Sequence, residues 1–154
     1  MTDKAMEYEK LIELSRAYIR ERPIAMNHPS HVADYMRPLV IDRPAESFYV
    51  MTINNRLNLI TWREVTRGIV DRSLVHAREV YRDAILDNAS AVLLVHNHPG
   101  GVTSPSPEDV RVTRMLVSAG DIIGIKVLDH IILGPTPDFF SFREAGLLDS
   151  PKGE

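Results

Sequence analysis

Two histidines and an aspartate in the middle of the chain have the spacing of a metal-binding set. His96 and His98 are two positions apart, and Asp109 follows His98 with ten residues between them. In an extended segment, side chains at positions i and i+2 point to the same side, so both imidazoles can reach one ion. Two histidines and one carboxylate suit zinc and leave a fourth coordination position open for water. The spacing therefore predicts a reactive metal site rather than a closed structural one.

A predicted strand and a predicted helix must position this set. The apolar run from Ala91 to Val95 directly precedes His96 and is typical of a buried strand. Ser106 and Pro107 are favoured residues for the N-cap and the first position of a helix. Asp109 is then the third helical position, from which a carboxylate can bond back to the cap. The glycine- and proline-rich link after the histidines lets the helix start fold back over the strand end.

Ordinary structural roles can also explain some of these residues. Ser106 and Asp109 can simply start a helix, and for Ser106 this role is compatible with a chemical one. A single histidine is more often a hydrogen-bonded core residue, but a pair beside a glycine- and proline-rich loop favours metal binding. Glu108 is a neighbouring acid, but on a helix its side chain projects about 100° away from that of Asp109. The metal interpretation is therefore favoured for both histidines and for Asp109.

The pattern HxHPx(9)D containing SxxD resembles the signature of the JAMM/MPN metallopeptidase family. The stretch HNHPGGVTSPSPEDVRVTRMLVSAGDIIGIKVLDHIILG is similar to the bacterial RadC branch of that family. The resemblance covers roughly residues 30 to 148. Gly100 stands where the branch usually has serine, and Ala77 follows His76 where proline is usual. Neither departure falls on a position that binds metal in the family.

The resemblance implies a zinc-dependent hydrolase. It implies that His96, His98 and Asp109 bind one zinc ion per chain, with a water as fourth ligand, and that Ser106 helps to stabilise an oxyanion. Glu46, in the segment AESFYVMTINN, matches the Glu-x-Phe opening of an early strand and would be the general base. An acid that begins an apolar strand is costly to bury unless it has a function. The expected reaction is cleavage of a peptide or isopeptide bond in a peptide or protein substrate.

Other classes of function stay open at this point. The RadC branch has an old association with DNA repair, and MPN relatives that have lost their ligands act as scaffolds. A DNA-repair accessory or an adaptor without turnover is therefore the alternative, although this chain keeps every ligand. The letters His-Asn-His also suggest an HNH nuclease, but that motif is dispersed over a ββα unit rather than contiguous.

The composition is that of an ordinary globular domain. The 154 residues are 44% hydrophobic and 25% charged, enough to bury one independent core. The absence of cysteine excludes disulfides and thiolate metal sites, and it fits a reducing compartment. The N-terminus lacks the apolar core of a signal peptide, and no apolar run approaches the roughly 20 residues that span a bilayer. We therefore expect a cytoplasmic protein without a membrane span.

The charge pattern argues against a broad nucleic-acid surface. The net charge is −3, whereas phosphate binding draws on clustered lysine and arginine. Basic and acidic residues alternate between positions 63 and 83, which is typical of a solvated face. They are Arg63, Arg67, Arg72, Arg78 and Arg82, interleaved with Glu64, Asp71, Glu79 and Asp83. Nucleic acid therefore stays a possible partner by family association alone, and no oligomeric state is predicted.

The order of predicted elements indicates an α/β fold. Residues 1–27 are expected to form a helical N-terminal extension, followed by the JAMM/MPN (RadC-like) hydrolase domain over residues 28–150. Strands are predicted at 46–53 and 57–64, joined by a turn at Asn54-Asn55, then at 91–96, 125–133 and 139–142. Helices are predicted from about residue 78 to 88, with Val80, Ala84 and Ile85 facing inward, and from 107 to 119, where Gly120 ends the second. This order predicts a mixed sheet flanked by helices, and the resemblance to the JAMM/MPN family implies the same arrangement, a cytidine-deaminase-like fold.

The remaining histidines are expected to have structural roles. His28 and His31 bracket a turn and should be exposed. His76 precedes a helix and is a candidate for its cap or for a lid contact. Asp129 and His130 lie in a predicted strand, and the favoured interpretation is a buried pair that stabilises the sheet. The alternative is that one of them orients a metal ligand.

Overall fold

Four helices and five strands are present in the computed structural model, which describes residues 3–40, 42–68 and 75–148. The helices are α1 (Asp3–Glu21), α2 (Pro29–Val40), α3 (Ala77–Leu86) and α4 (Pro107–Ile123). The strands are β1 (Ser47–Ile53), β2 (Leu59–Arg67), β3 (Ala91–Asn97), β4 (Lys126–Leu133) and β5 (Phe139–Ser141).

The five strands form one mixed sheet in the order β2-β1-β3-β4-β5. β3 and β4 pair in parallel, and the other neighbours are antiparallel. A parallel pair needs a long crossover connection, which α4 supplies between β3 and β4. The predicted α/β fold with a mixed sheet flanked by helices is confirmed.

Both faces of the sheet are covered. Every residue of β1 and β3 is buried, which explains why these strands are apolar throughout rather than alternating. Alternate residues contribute to two separate core clusters: Tyr49 and Met51 pack on the side of α1 and α2, and Phe48 and Val50 on the side of α3 and α4. In β3, Val92 and Leu94 lie on the side of α3 and α4. Because side chains alternate along a strand, the side chains of His96 and His98 are expected on this side as well.

The predicted end of the second helix at Gly120 is wrong. α4 continues to Ile123, and Gly124 caps it in the left-handed conformation with φ of 85°. Gly120 has a different role, since a Cβ there would lie 2.4 Å from both the Tyr81 hydroxyl and the carbonyl oxygen of Ile125. The glycine at 120 therefore allows close packing of α4 rather than ending it.

The predicted two-residue turn at Asn54-Asn55 is also wrong. The loop extends to Asn58, and its residue with positive φ is Leu57, at 60°. Asn54 Oδ1 accepts hydrogen bonds from two backbone N–H groups further along the loop, including that of Asn58 at 3.0 Å. The asparagine thus closes a longer loop through its side chain instead of adopting the turn conformation itself.

Two predictions at α3 need correction. His76 occupies the N-cap position, but its side chain makes no capping hydrogen bond. Ile85 was expected to face inward and is 57% exposed, whereas Tyr81 is buried beside Val80 and Ala84. His28 and His31 are exposed, as expected.

α1 packs against the sheet through Tyr8, Ile12 and Ile19, and the Tyr8 and Trp62 rings meet edge to face at 6.0 Å. The division of the chain at residue 27 stays a prediction. Within the described residues, no helix has both the length and the apolar character that crossing a bilayer requires.

The alternating charges between positions 63 and 83 form ion pairs. Arg63 lies 2.8 Å from Asp83, Arg67 lies 2.9 Å from Glu64, and Arg82 lies 3.7 Å from Glu79. Asp71 and Arg72 lie outside the described residues. The pairing neutralises much of the local positive charge. The side chains of Glu64 and Asp83 are only 11% and 8% exposed, so the predicted solvated face is wrong at these two acids.

Candidate metal centre

The two histidines lie where β3 ends. His96 belongs to the strand, and His98 follows it with its backbone N–H donating to the carbonyl of Leu133 at 2.7 Å. Both side chains have the parity of Leu94, which places them on the face covered by α4. Phe48 pairs with His96 across β1 and β3, and the two rings stack at 6.0 Å. Strand alternation therefore brings the imidazoles to one face, as the spacing predicted.

The structure brings His96, His98 and Asp109 together. The two Nε2 atoms are 2.8 Å apart, and Asp109 Oδ2 lies 3.5 Å from His96 Nε2 and 3.3 Å from His98 Nε2. Around a tetrahedral zinc ion, neighbouring ligand atoms are separated by about 3.3 Å, because the metal–ligand distances are about 2.0–2.1 Å. Three donor atoms at these separations could hold one metal ion.

The His98 ring is held in the tautomer that a metal ligand needs. Its Nδ1 lies 2.6 Å from the carbonyl oxygen of Val102. Because a carbonyl oxygen can only accept, Nδ1 carries the proton and donates it. The Nε2 atom of neutral His98 then has a free lone pair directed toward Asp109 and His96.

The His96 ring is held in the same tautomer by a chain of buried groups. Its Nδ1 lies 2.7 Å from His130 Nε2, and His130 Nδ1 lies 2.6 Å from Thr113 Oγ1. The Thr113 hydroxyl donates to the backbone carbonyl of Asp109 at 2.7 Å. That donation leaves the Thr113 oxygen as acceptor for His130 Nδ1–H, so His130 Nε2 accepts from His96 Nδ1–H. Both candidate ligands therefore present an unprotonated Nε2.

Asp109 is oriented by the start of α4. Ser106 is the N-cap: its Oγ accepts from Asp109 N–H at 3.1 Å, and Asp109 Oδ2 accepts from Ser106 N–H at 3.0 Å. Burial raises the pKa of the Asp109 carboxyl, but the contacts with His96 and His98 and the hydrogen bond from Ser106 N–H outweigh it and hold the pKa far below its usual range. Asp109 is therefore a carboxylate, and the predicted capping box is confirmed.

The three candidate ligands differ in exposure. The side chains of His96 and Asp109 are 0% and 2% exposed, whereas that of His98 is 13% exposed. Burial alone lowers the pKa of His98, but Asp109, the Val102 carbonyl and the charge of Glu46 together raise it above its usual value. Among the three candidate ligands, the side of His98 is therefore the open side of the site.

Glu46 lies on the open side of the site. It precedes β1, and continuing the pairing of Phe48 with His96 by two residues places Glu46 opposite His98 on the same face. Its side chain is half-buried, and its charge acts on the His98 ring. The structure thus places the predicted base beside the metal set, while its role as base stays a prediction. Ser106 is placed at the helix start, and its oxyanion role likewise stays a prediction.

The strand alternation separates Asp129 from His130. Asp129 stabilises the end of the sheet, accepting hydrogen bonds from Ser141 Oγ at 2.6 Å and from Arg143 N–H at 3.0 Å. His130 points to the opposite face and contacts His96. Both residues are buried, as expected, and the sheet-stabilising role fits Asp129, whereas the contact of His130 with His96 favours the alternative that it orients a metal ligand, which stays a prediction. The parity of the strand was the signal that could have distinguished the two.

A groove of about 230 Å³ adjoins His98. Its wall includes the ends of β3 and β4 and the segment from Asp42 to Pro44. Arg37 holds one rim by donating to the backbone carbonyls of Gly134, Pro137 and Asp138 at 3.0, 2.9 and 3.2 Å, and it also bonds that of Thr136. A ligand site at the carboxyl ends of parallel strands is the usual arrangement in α/β sheets.

Comparisons with known proteins agree with this geometry. Residues 26–147 match the family model described as the RadC-like JAB domain. A UPF0758 protein of Chlorobaculum tepidum is 35% identical over 147 residues, covering 94% of this chain and 66% of its own length. A UPF0758 protein of Symbiobacterium thermophilum is 42% identical over 127 residues, covering 82% and 54%. A Staphylococcus aureus relative is 42% identical over 126 residues, covering 82% and 57%.

The chain thus spans about half to two thirds of the length of these curated relatives. The family match covers most of the chain and includes His96, His98 and Asp109. The chain therefore belongs to the RadC-like JAB domain family, and its fold and candidate metal set place it in the JAMM/MPN superfamily.

Proposed function

We propose that this protein is a zinc-dependent hydrolase that cleaves an amide bond, either peptide or isopeptide, in a peptide or protein substrate. One observation carries the proposal. Two buried or half-buried histidines direct unprotonated Nε2 atoms at the Asp109 carboxylate, while each Nδ1 is engaged in a hydrogen bond. Metal-binding histidines are held in this way, because the second nitrogen bond fixes both tautomer and orientation.

The donor set favours zinc among the common metals. Two imidazole nitrogens and one carboxylate oxygen with an open position form the catalytic type of zinc site, and the chain has no cysteine that would close it. A bound zinc ion would polarise a carbonyl group and lower the pKa of a water molecule toward about 7.

The chain's own residues supply the proton transfers. Glu46, on the open side beside His98, would accept the proton of the attacking water and deliver it to the leaving amine. Ser106 Oγ accepts from Asp109 N–H, and this bond does not use the hydroxyl proton, which can be donated to a developing oxyanion. The substrate would approach along the groove beside His98.

Metal analysis and one carboxyl substitution test the proposal together. Purified wild-type protein should contain about one zinc per chain, and Asp109→Asn should lose it. Glu46→Gln should keep the zinc and lower the hydrolysis rate by about 10²- to 10⁴-fold. Glu108→Gln is the matched control, because Glu108 precedes Asp109 but its side chain pairs with Arg111 on the outer surface of α4.

The same measurements can overturn the proposal. Wild-type protein that binds no metal after reconstitution with zinc would favour the adaptor interpretation. An unchanged rate in Glu46→Gln would reject the assigned base. A panel of peptides and isopeptide-linked conjugates identifies the substrate class, and tight, salt-sensitive binding to duplex or branched DNA without hydrolysis would favour the accessory role.

A further inference from the structure

The side chain of Asn97, between the two histidines, binds the backbone on either side of Glu46. Asn97 is 5% exposed. Its Oδ1 accepts a hydrogen bond from Ser47 N–H at 2.7 Å, and its Nδ2 donates to the Ala45 carbonyl at 3.2 Å. The side-chain amide of Asn97 therefore bonds the backbone of both chain neighbours of Glu46.

These contacts extend the sheet by a side chain. In a regular antiparallel pair, the partner strand supplies the N–H and C=O groups that such a segment needs. The backbone pairing of β1 with β3 begins at Phe48 and His96, and beyond this pair the Asn97 amide takes the place of a peptide group. On the other side, Gly68 N–H donates to the Glu46 carbonyl at 2.7 Å. The backbone around Glu46 is therefore held from both sides, by Asn97 at the end of β3 and by Gly68 just after β2.

We propose that Asn97 is a positioning residue that sets the place of Glu46 relative to the metal centre. The inference rests on the proposed function, in which Glu46 is the base. His96 and His98 are the chain neighbours of Asn97. The same three-residue segment therefore contains two of the candidate ligands and holds the backbone on either side of the proposed base. The separation of base and metal is then determined by one short, buried connection rather than by the loop before β1.

Two substitutions at this position separate positioning from simple space filling. Asn97→Ala removes both bonds and should lower kcat by about 10- to 100-fold, with KM changed less than about twofold and zinc content unchanged. Asn97→Asp keeps the shape and the acceptor for Ser47 N–H, but it places an oxygen against the Ala45 carbonyl. It should therefore also lower kcat, whereas a residue that only fills space would be rescued by it.

Amide hydrogen exchange gives a readout that needs no activity. The Ser47 N–H should exchange faster in Asn97→Ala and stay protected in Asn97→Asp, because only the first loses the acceptor. Asn55→Ala is the matched control, since Asn55 is exposed in the loop at the opposite end of β1 and should leave exchange, zinc and kcat unchanged.

The inference fails if Asn97→Ala leaves Ser47 exchange and kcat unchanged, or if Asn97→Asp restores full kcat. It also fails if the lost activity is accompanied by lost zinc, because Asn97 would then support the ligands rather than the base. Wild-type protein without any hydrolysis would instead overturn the proposed function. In that case, the exchange comparison still decides whether Asn97 holds the Glu46 segment.

Discussion

His130 Nε2 lies 2.7 Å from His96 Nδ1, and both imidazoles are buried. Through Thr113 the contact continues to the backbone carbonyl of Asp109, so one chain of hydrogen bonds joins two of the three candidate metal ligands. The Phe142 ring stacks on the His130 ring at 4.5 Å, which leaves the His130 ring little freedom to turn. The orientation of His96 is thus set by groups on β4 and α4.

Removing His130 should weaken zinc binding. We expect His130→Ala to lower zinc affinity by about 10- to 100-fold, because His96 Nδ1–H loses its acceptor and the ring its orientation. Competition with a zinc chelator measures the affinity. Thr113→Val has the same shape without the hydroxyl and should weaken binding in the same direction, and exposed His31→Ala is the control. Equal zinc affinities in all three variants and the wild type would contradict the role of His130 and Thr113 in orienting His96.

Ser106 combines a cap with the proposed oxyanion role, and two substitutions can separate them. Ser106→Ala should lower the free energy of unfolding by about 0.5–2 kcal/mol, whereas glycine at an N-cap costs only a few tenths. If the hydroxyl also meets the oxyanion, both variants should lose about 10²- to 10³-fold in kcat. Urea denaturation and steady-state kinetics give the two numbers. Full activity in a folded Ser106→Gly protein would limit Ser106 to capping.

The two glycines of α4 should respond differently to alanine. Helix propensity favours alanine over glycine by about 1 kcal/mol, yet we expect Gly120→Ala to destabilise by about 1–3 kcal/mol. The added Cβ would lie 2.4 Å from the Tyr81 hydroxyl and the Ile125 carbonyl. Gly124→Ala meets no atom within 4 Å but requires φ of 85°, which should cost about 1 kcal/mol. A more stable Gly120→Ala protein in chemical denaturation would refute this packing.

Stability should decrease at alkaline pH through buried tyrosines. Burial, with a smaller contribution from Asp121, raises the pKa of Tyr81 above its usual value near 10. Its hydroxyl donates to the Leu116 carbonyl at 2.7 Å. The contribution of Tyr81 to the free energy of unfolding is fully present below pH 10. It decreases above pH 10, because the unfolded chain then releases the Tyr81 proton and the folded chain retains it.

Tyr81→Phe tests this linkage. The variant should lose about 0.5–1.5 kcal/mol of unfolding free energy at pH 7 and show a smaller decrease between pH 9 and pH 11 than the wild type. Tyr18→Phe, at an exposed position of α1, should match the wild type at every pH. Identical pH profiles for Tyr81→Phe and wild type would show that another group causes the alkaline decrease.

Strand alternation and helix capping, which depend on residues close together in the chain, were sufficient to predict much of the fold and the three candidate metal ligands. The two-residue spacing places His96 and His98 on one side of a strand, and Ser106 caps α4 with Asp109 at its third position, because both features depend only on near neighbours in the chain. The need for a long crossover between parallel strands likewise follows from the order of elements. Family resemblance, rather than spacing, singled out Glu46.

The remaining features depend on contacts between distant parts of the chain. The tertiary structure alone decided that His130 contacts His96, that Asn97 binds the backbone around Glu46, and that Gly120 lies against Tyr81. Each of these depends on the register of paired strands or on helix packing. The sequence by itself therefore determined which residue types could bind metal and on which side of β3 they lie. Only the packing of α4 and β4 against β3 decided how the donor atoms converge and which groups hold their tautomers.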